Sequence, residues 1–243
     1  DTLAALRLKY DSDESIEIID RILSVKFESE LNASIDLAIR KGTFGGWTAE
    51  LEFELDGKKN PIKGQNPFYQ FLLDRFPIVA KRMALYGRRN VSTSTVAPTG
   101  SLSILTQTTS GLEPVFMVTY TRRKKVNPGE NVRVDFVDQN GDCWMEYAVM
   151  HPKFIYWYYM QTAQFNNLID CKTHLENLPI TEINKLVKDS PWNESTANDI
   201  NWIKRVQMQG VIQKYVTHSI SSTINLPNNV SVDEVSKIYL KSW

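Results

Sequence analysis

The stretch STSTVAPTGSLSILTQTTSGLEPVFMVTY, Ser92–Tyr120, decides how the rest of the chain is read. Eleven of its first nineteen residues are Ser or Thr. A β-prone run, Ser92–Ala97, meets a Pro-Thr-Gly-Ser turn, and a helix-like run follows. A strand that breaks at Pro-x-Gly and opens a helix leaves backbone N–H groups without partners. With the small hydroxyls and the positive helix end, they favour an anion such as a phosphate. The expected donors are the N–H groups of Gly100, Ser101 and Leu102, aided by the hydroxyls of Thr99, Ser101 and Ser103. Gly100 would let the backbone approach closely. The stretch is neither a Walker A loop nor a dinucleotide fingerprint, because GxxxxGK[ST] and GxGxxG are both missing. Read alone, it is equally a Ser/Thr-rich strand running into an N-capped helix with nothing bound.

Working outward, Asp13–Arg40 carries apolar residues at helical spacing, from Ile16 to Ile39, behind an Asp-Ser-Asp-Glu cap, and predicts one long helix or two. Lys41–Trp47 is a Gly-rich break, and Ala49–Leu55 reads as helix or strand before the Asp56-Gly57 turn. Asn66–Phe76 and Pro77–Tyr86 read as helices, and Gly87 ends the second. Gly111–Tyr120 is expected to be a second strand. Val132, Val134 and Phe136 alternate before Asn140-Gly141 and Cys143–Val149, a hairpin pattern. Pro152–Phe165 and Asp199–Tyr215 read as helices, with short helices and loops over Asn166–Pro191. Ser219–Leu226 looks strand-like, and Ser231–Glu234 opens a last helix. Strands alternating with long helices point to α/β architecture.

The 243 residues suffice for one large or two small domains. Twenty-eight basic and 28 acidic residues cancel, so no bulk charge argues for a nucleic-acid or membrane partner. No run of eighteen apolar residues, signal peptide or lipidation motif is present. Cys143 and Cys171 lack metal or redox spacing, and an intracellular protein without a disulfide framework is the expectation. The first residue is Asp, and the apolar patterns at both ends are uncapped. Both ends read as cuts through a larger protein, with a naturally processed short protein as the alternative. His151, His174 and His218 are scattered without metal-ligand spacing. The basic run Arg122–Lys125 is either a solvated face or a contact for a phosphate tail.

Several motifs occur in one order: APTGSLS (97–103), SGLEPVF (110–116), YTRRKKVNP (120–128), VDFVDQNGD (134–142), HPKF (151–154), TANDINWIKRVQMQGVIQKY (196–215) and HSISSTINLPNNVSVDEV (218–235). Together with DTLAALRLKYDSDES at the start, they resemble the large catalytic subunit of ribonucleotide reductase, in its class II, adenosylcobalamin-dependent form. The resemblance implies an α/β fold, part of a ten-stranded α/β barrel. Residues 1–243 would be its C-terminal portion, with a hairpin and helical insertion at about 122–198. It implies that Pro98, Thr99, Gly100, Ser101 and Leu102 hold the substrate phosphates, with Ala97 and Ser103 in support. Glu113 would play a structural role, accepting backbone or Arg hydrogen bonds.

The activity implied is reduction of a ribonucleoside di- or triphosphate by a cysteine thiyl radical. Adenosylcobalamin would be the cofactor, a thioredoxin- or glutaredoxin-type protein the reductant, and nucleotides the effectors. A cytoplasmic enzyme, compatible with a homodimer and binding neither membrane nor nucleic acid, is the corresponding expectation. The family's Asn-x-Cys-x-Glu finger-loop motif is missing from these residues, and neither cysteine matches a catalytic one. The expectation is therefore a piece holding the phosphate-binding half of the barrel, without catalytic residues and inactive alone. A class I large subunit with a metal-containing partner and a noncatalytic nucleotide-binding module are the alternatives. The lack of a Tyr-Tyr pair late in the chain weighs against class I.

Overall fold

The computed structural model describes residues 1–127 and 129–243. Pro128, last in the YTRRKKVNP motif and inside the insertion read at 122–198, lies outside them. Along the chain run α1 (Thr2–Ala5), α2 (Asp13–Lys41), β1 (Phe53–Leu55), β2 (Pro61–Gly64), α3 (Pro67–Arg75) and α4 (Pro77–Tyr86). Then come α5 (Gly100–Thr106), β3 (Thr119–Lys125), β4 (Phe136–Val137), β5 (Cys143–Met150) and α6 (Pro152–Gln161). The series closes with α7 (Leu168–Glu176), α8 (Ile180–Lys188), α9 (Trp202–Gln213) and α10 (Val232–Ser242). The residues divide into two compact units that alternate along the sequence. The first comprises Asp1–Ser12, Pro98–Trp202 and Thr223–Val235. The second comprises Asp13–Ala97, Ile203–Ser222 and Ser236–Trp243.

In the second unit, α2 is one continuous helix with Asp13 and Glu14 in its first turn and Arg40 and Lys41 in its last, complementing its dipole. It buries Phe27, Leu31 and Ile35 against Phe53, Leu72, Phe76, Met83 and Tyr215. The rings meet edge-on: Phe27 lies 5.7 Å from both Phe68 and Tyr215, a favoured aromatic geometry. Asn66 caps α3 by accepting from the N–H groups of Phe68 and Tyr69. Pro67 and Pro77 stand at the first turns of α3 and α4, where a missing N–H costs nothing. Gly64, in β2, pairs with Phe53 of β1. A Cβ there would lie 2.1 Å from the Gln70 nitrogen, so the β1–β2 hairpin rests on α3 through bare backbone.

The first unit is built on an antiparallel sheet in the order β3-β5-β4. β3 pairs with β5 from Thr119↔Met150 to Lys125↔Trp144, and β4 pairs with β5 across the Asn140-Gly141 turn. Asp138 locks that turn, accepting from the N–H groups of Asn140 and Asp142 and from the Trp144 indole. Val115, Val118, Met150, Phe154, Cys171, Leu175, Ile183 and Trp192 form the core. The boundary read at 122 falls inside β3, so the sheet does not start there.

Two expected strands, Ser92–Ala97 and Ser219–Leu226, do not form, and of Gly111–Tyr120 only Thr119 and Tyr120 are strand. Over Ser92–Ala97, Thr217 does the work of a neighbouring strand. Its hydroxyl accepts from the N–H groups of Thr93 and Ser94, donates to the Ser94 carbonyl, and meets Ser92 Oγ at 2.7 Å. Over 111–118 the carbonyls are taken one at a time, Leu112 by the Tyr10 hydroxyl, Val115 by the Ala197 N–H and Val118 by the His151 N–H. Gly111 and Leu112 form a turn and the chain bends at Phe116 and Val118, so strand pairing begins only at Thr119. Over 218–220, Gln213 donates to the His218 carbonyl and accepts the Ile220 N–H, while Gln209 donates to the Ile220 carbonyl. The contacts on these segments come from side chains and single backbone groups rather than from a ladder. Helices and strands thus mix as an α/β reading requires, in two small antiparallel sheets among the described residues.

Candidate functional site

The approach to the Pro-Thr-Gly-Ser turn is anchored within the second unit. Gly87 ends α4 at φ +72°, ψ −170°, a conformation open essentially to glycine. The chain then turns around Arg88, whose guanidinium is almost wholly buried. Its Nε donates to Glu52 Oε1 at 2.8 Å, Nη1 to the carbonyls of Asn90 and Val91, and Nη2 to the Tyr69 hydroxyl. Arg88 also lies over the Phe44 ring, 5.3 Å from its centre. One buried cation therefore fixes the bend that delivers the chain into Ser92. Beyond it, Ser94 is buried and its hydroxyl donates to Glu30 and accepts from Lys26, both on α2. Burial pushes the Tyr69 phenol up, with the Glu52 charge adding to the effect. Sequence reading found neither Arg88 nor Thr217, because a cation beside Gly87 and an isolated threonine carry no signal until their partners are placed.

The turn itself lies in the first unit, and Ala97 is the last residue before it. Thr99 occupies the N-cap position of α5 at φ −49°, ψ 45°, without capping the helix through its side chain. Its hydroxyl instead accepts from the Gly111 N–H at 3.1 Å. The Gly100 N–H donates back to the Pro98 carbonyl at 2.5 Å, so it is spent within the turn. The Ser103 N–H goes to the Thr99 carbonyl and the Ser103 hydroxyl to the Gly100 carbonyl. The N–H groups of Ser101 and Leu102 take no partner among the described residues, and both residues are exposed. The donor set thus narrows from three N–H groups to two, beside the Ser101 hydroxyl. A Cβ on Gly100 would meet nothing within 4 Å, so no packing inside the unit demands glycine. The helix ends at Gln107, which is left-handed at φ 54°.

Around the turn, Asp1 accepts from the Thr109 N–H at 2.9 Å and holds His151 Nε2 at 2.7 Å. Burial, with the Lys153 charge adding to it, holds the His151 imidazole well below its ordinary value. At neutral pH the contact is therefore a neutral ring donating to a carboxylate rather than an ion pair. Glu113 Oε1 accepts the Thr223 N–H at 3.2 Å, which ties the segment after the turn to the Thr223–Val235 segment.

The remaining candidates divide. The basic run is part of β3, and much of it is paired. Arg123 meets Glu146 and lies 4.4 Å from the centre of the Phe136 ring, Lys124 meets Glu130, and Lys125 meets Asp142. Paired with acidic side chains, Arg123, Lys124 and Lys125 are not a free phosphate clamp. Cys171 is wholly buried and burial pushes its thiol up, the opposite of an activated thiol. Cys143 is half-buried on β5. No group of three or more metal-ligating side chains gathers among the described residues.

The whole chain, residues 1–243, matches the family model described as ribonucleotide reductase, barrel domain, and the chain belongs to that family. Among its relatives is a vitamin B12-dependent ribonucleoside-diphosphate reductase of Mycobacterium tuberculosis (strain CDC 1551 / Oshkosh). It is 25% identical over 247 residues, covering 99% of this chain and 28% of the relative. The protein of the same description from Thermoplasma acidophilum is 26% identical over 239 residues, covering 98% of this chain and 25% of its own length. A vitamin B12-dependent ribonucleotide reductase of Streptomyces clavuligerus is 23% identical, covering 96% and 24% respectively. The chain thus spans about a quarter of the length of the curated relatives it matches.

Proposed function

We propose that this chain is part of the catalytic barrel of a cobalamin-dependent ribonucleotide reductase, and that Pro98–Leu102 holds the phosphates of its ribonucleotide substrate. The observation that carries the reading is the pair of unspent N–H groups on Ser101 and Leu102, which open α5 beside the Ser101 hydroxyl. Two adjacent amides at a helix start, with no side chain in front of Gly100, suit a phosphate oxygen. The names of the relatives support the cobalamin class, and a class I subunit or a noncatalytic module has less in its favour. In this reading the extended segments around the turn belong to the wall of a ten-stranded barrel, and β3–β5–β4 with α6–α8 is an insertion. The intact enzyme takes a ribonucleoside di- or triphosphate, a dithiol protein reductant and nucleotide effectors, works in the cytoplasm and forms a homodimer. No described helix is long and apolar enough to cross a membrane.

Bound cobalamin would supply the radical that starts the reduction. Two of the cavities among the described residues, of about 530 and 350 Å³, do not fit that group: they are in the range for small ligands, and a corrinoid is larger. What this chain's residues do is bind and orient. Ser101 and Leu102 fix the phosphate end of the substrate, and Thr99 and Glu113 hold the backbone around it. In this reading neither thiol reduces the nucleotide, and the chain alone turns nothing over. The test follows the Ser101 and Leu102 amide resonances during titration with a ribonucleoside diphosphate and, separately, with the unphosphorylated nucleoside. Shifts at both amides with the diphosphate only are expected. Diphosphate shifts centred elsewhere, or equal shifts with the nucleoside, overturn the assignment.

A further inference from the structure

The second unit contains a cavity of about 530 Å³ that the proposed function does not use. Phe68, Tyr69 and Phe71 line it from α3, Gly210 and Gln213 from α9, with Arg88, whose charge is paired with Glu52, and Lys214, which adds positive charge. The three rings are only half-buried. Lys214 is exposed and makes no ion pair among the described residues. Arg88 has five N–H groups, four of them spent on Glu52, Asn90, Val91 and Tyr69. The fifth takes no partner among the described residues.

Gly210 supplies an independent observation. It stands inside α9, where glycine is disfavoured relative to alanine by about 0.5–1 kcal/mol. Its φ is not positive, and a Cβ there would meet nothing within 4 Å. Neither backbone strain nor close packing requires a glycine at this position. What its missing side chain leaves is room in the cavity.

We propose that this cavity is a binding site for a small organic anion with a flat aromatic body. The rings take the flat body, Gly210 leaves it space, and the free Arg88 N–H and the Lys214 ammonium take the negative group. The volume is that of a small-molecule pocket, with mostly apolar lining and few convergent polar groups. The test titrates the full chain with 1-naphthoate and with its uncharged isostere 1-naphthamide, by calorimetry. Saturable one-to-one binding of naphthoate is expected, with naphthamide at least about tenfold weaker. Lys214→Glu should weaken naphthoate by a similar factor, and Gly210→Phe should abolish binding by filling the space. Amide shifts on wild type should centre on Phe68, Tyr69 and Gln213, a readout that does not depend on any variant folding. Naphthamide binding as tightly as naphthoate, unchanged binding by folded Gly210→Phe, shifts centred elsewhere, or no saturable binding each overturns the proposal.

Discussion

Replacing Arg88 by Met should be among the most damaging single changes available in the second unit. The guanidinium is 6% exposed and its partner Glu52 3%, so both charges are out of water. Met keeps the length and apolar bulk of the side chain while removing four hydrogen bonds. The Glu52 carboxylate then loses its cation, and its Oε2 already has no partner among the described residues. Breaking one half of a buried pair costs about 3–5 kcal/mol. For a chain of this size that corresponds to a fall in Tm of about 6–20 °C. The assay is urea and thermal unfolding of wild type, Arg88→Met, Glu52→Gln and the double variant. If the cost is the uncompensated charge, Glu52→Gln should recover about 1–3 kcal/mol on the Arg88→Met background while destabilising wild type. A loss below about 1 kcal/mol for Arg88→Met, or further destabilisation by Glu52→Gln on that background, would refute the reasoning.

Three other outcomes can be checked. Burial, with the Asp20 hydrogen bond second, pushes the Tyr215 phenol up to about 12. The folded state keeps the phenol neutral after the unfolded chain has ionised near 10. Stability should therefore be complete below pH 10 and fall by roughly 3 kcal/mol between pH 10 and 12, and Tyr215→Phe should lack that slope. Gly87→Ala places a Cβ 2.3 Å from Thr43 Cγ2 at φ +72°, and should cost about 1–3 kcal/mol or more in denaturant unfolding. Thr217→Val strips the hydroxyl that serves the backbone of Thr93 and Ser94. It should cost about 1–3 kcal/mol and raise hydrogen exchange at those two amides, and unchanged exchange would count against the clamp.

The helices were legible because their signals are local. Asn66-Pro67, Phe76-Pro77, Tyr86-Gly87 and the acidic start of α2 mark their boundaries within a turn of where they fall. The Asn140-Gly141 hairpin is equally local, since the glycine takes φ +82° and Asp138 ties the loop. Motif order alone also carried the family. The expected strands that fail or shorten could not be judged that way. A strand is defined by what lies beside it, and an extended segment reads the same whether its neighbour is a ladder or a threonine hydroxyl.

The site divides along the same line. From residue types and spacing, the turn reads as a generic anion cradle or as an N-capped helix with nothing bound, because Pro, Gly and an N-cap act over three or four residues; the resemblance is what points to Pro98–Leu102 as the phosphate holder. Only the tertiary structure decided which donors in that turn are unspent. It removed Gly100, whose N–H closes onto Pro98, and left Ser101 and Leu102. It alone joined Arg88 to Glu52 across 36 residues and Thr217 to Ser94 across 123. It alone opened a cavity at Gly210. Hydrogen-bond satisfaction and burial depend on which distant groups arrive, and that information exists only once the chain has folded.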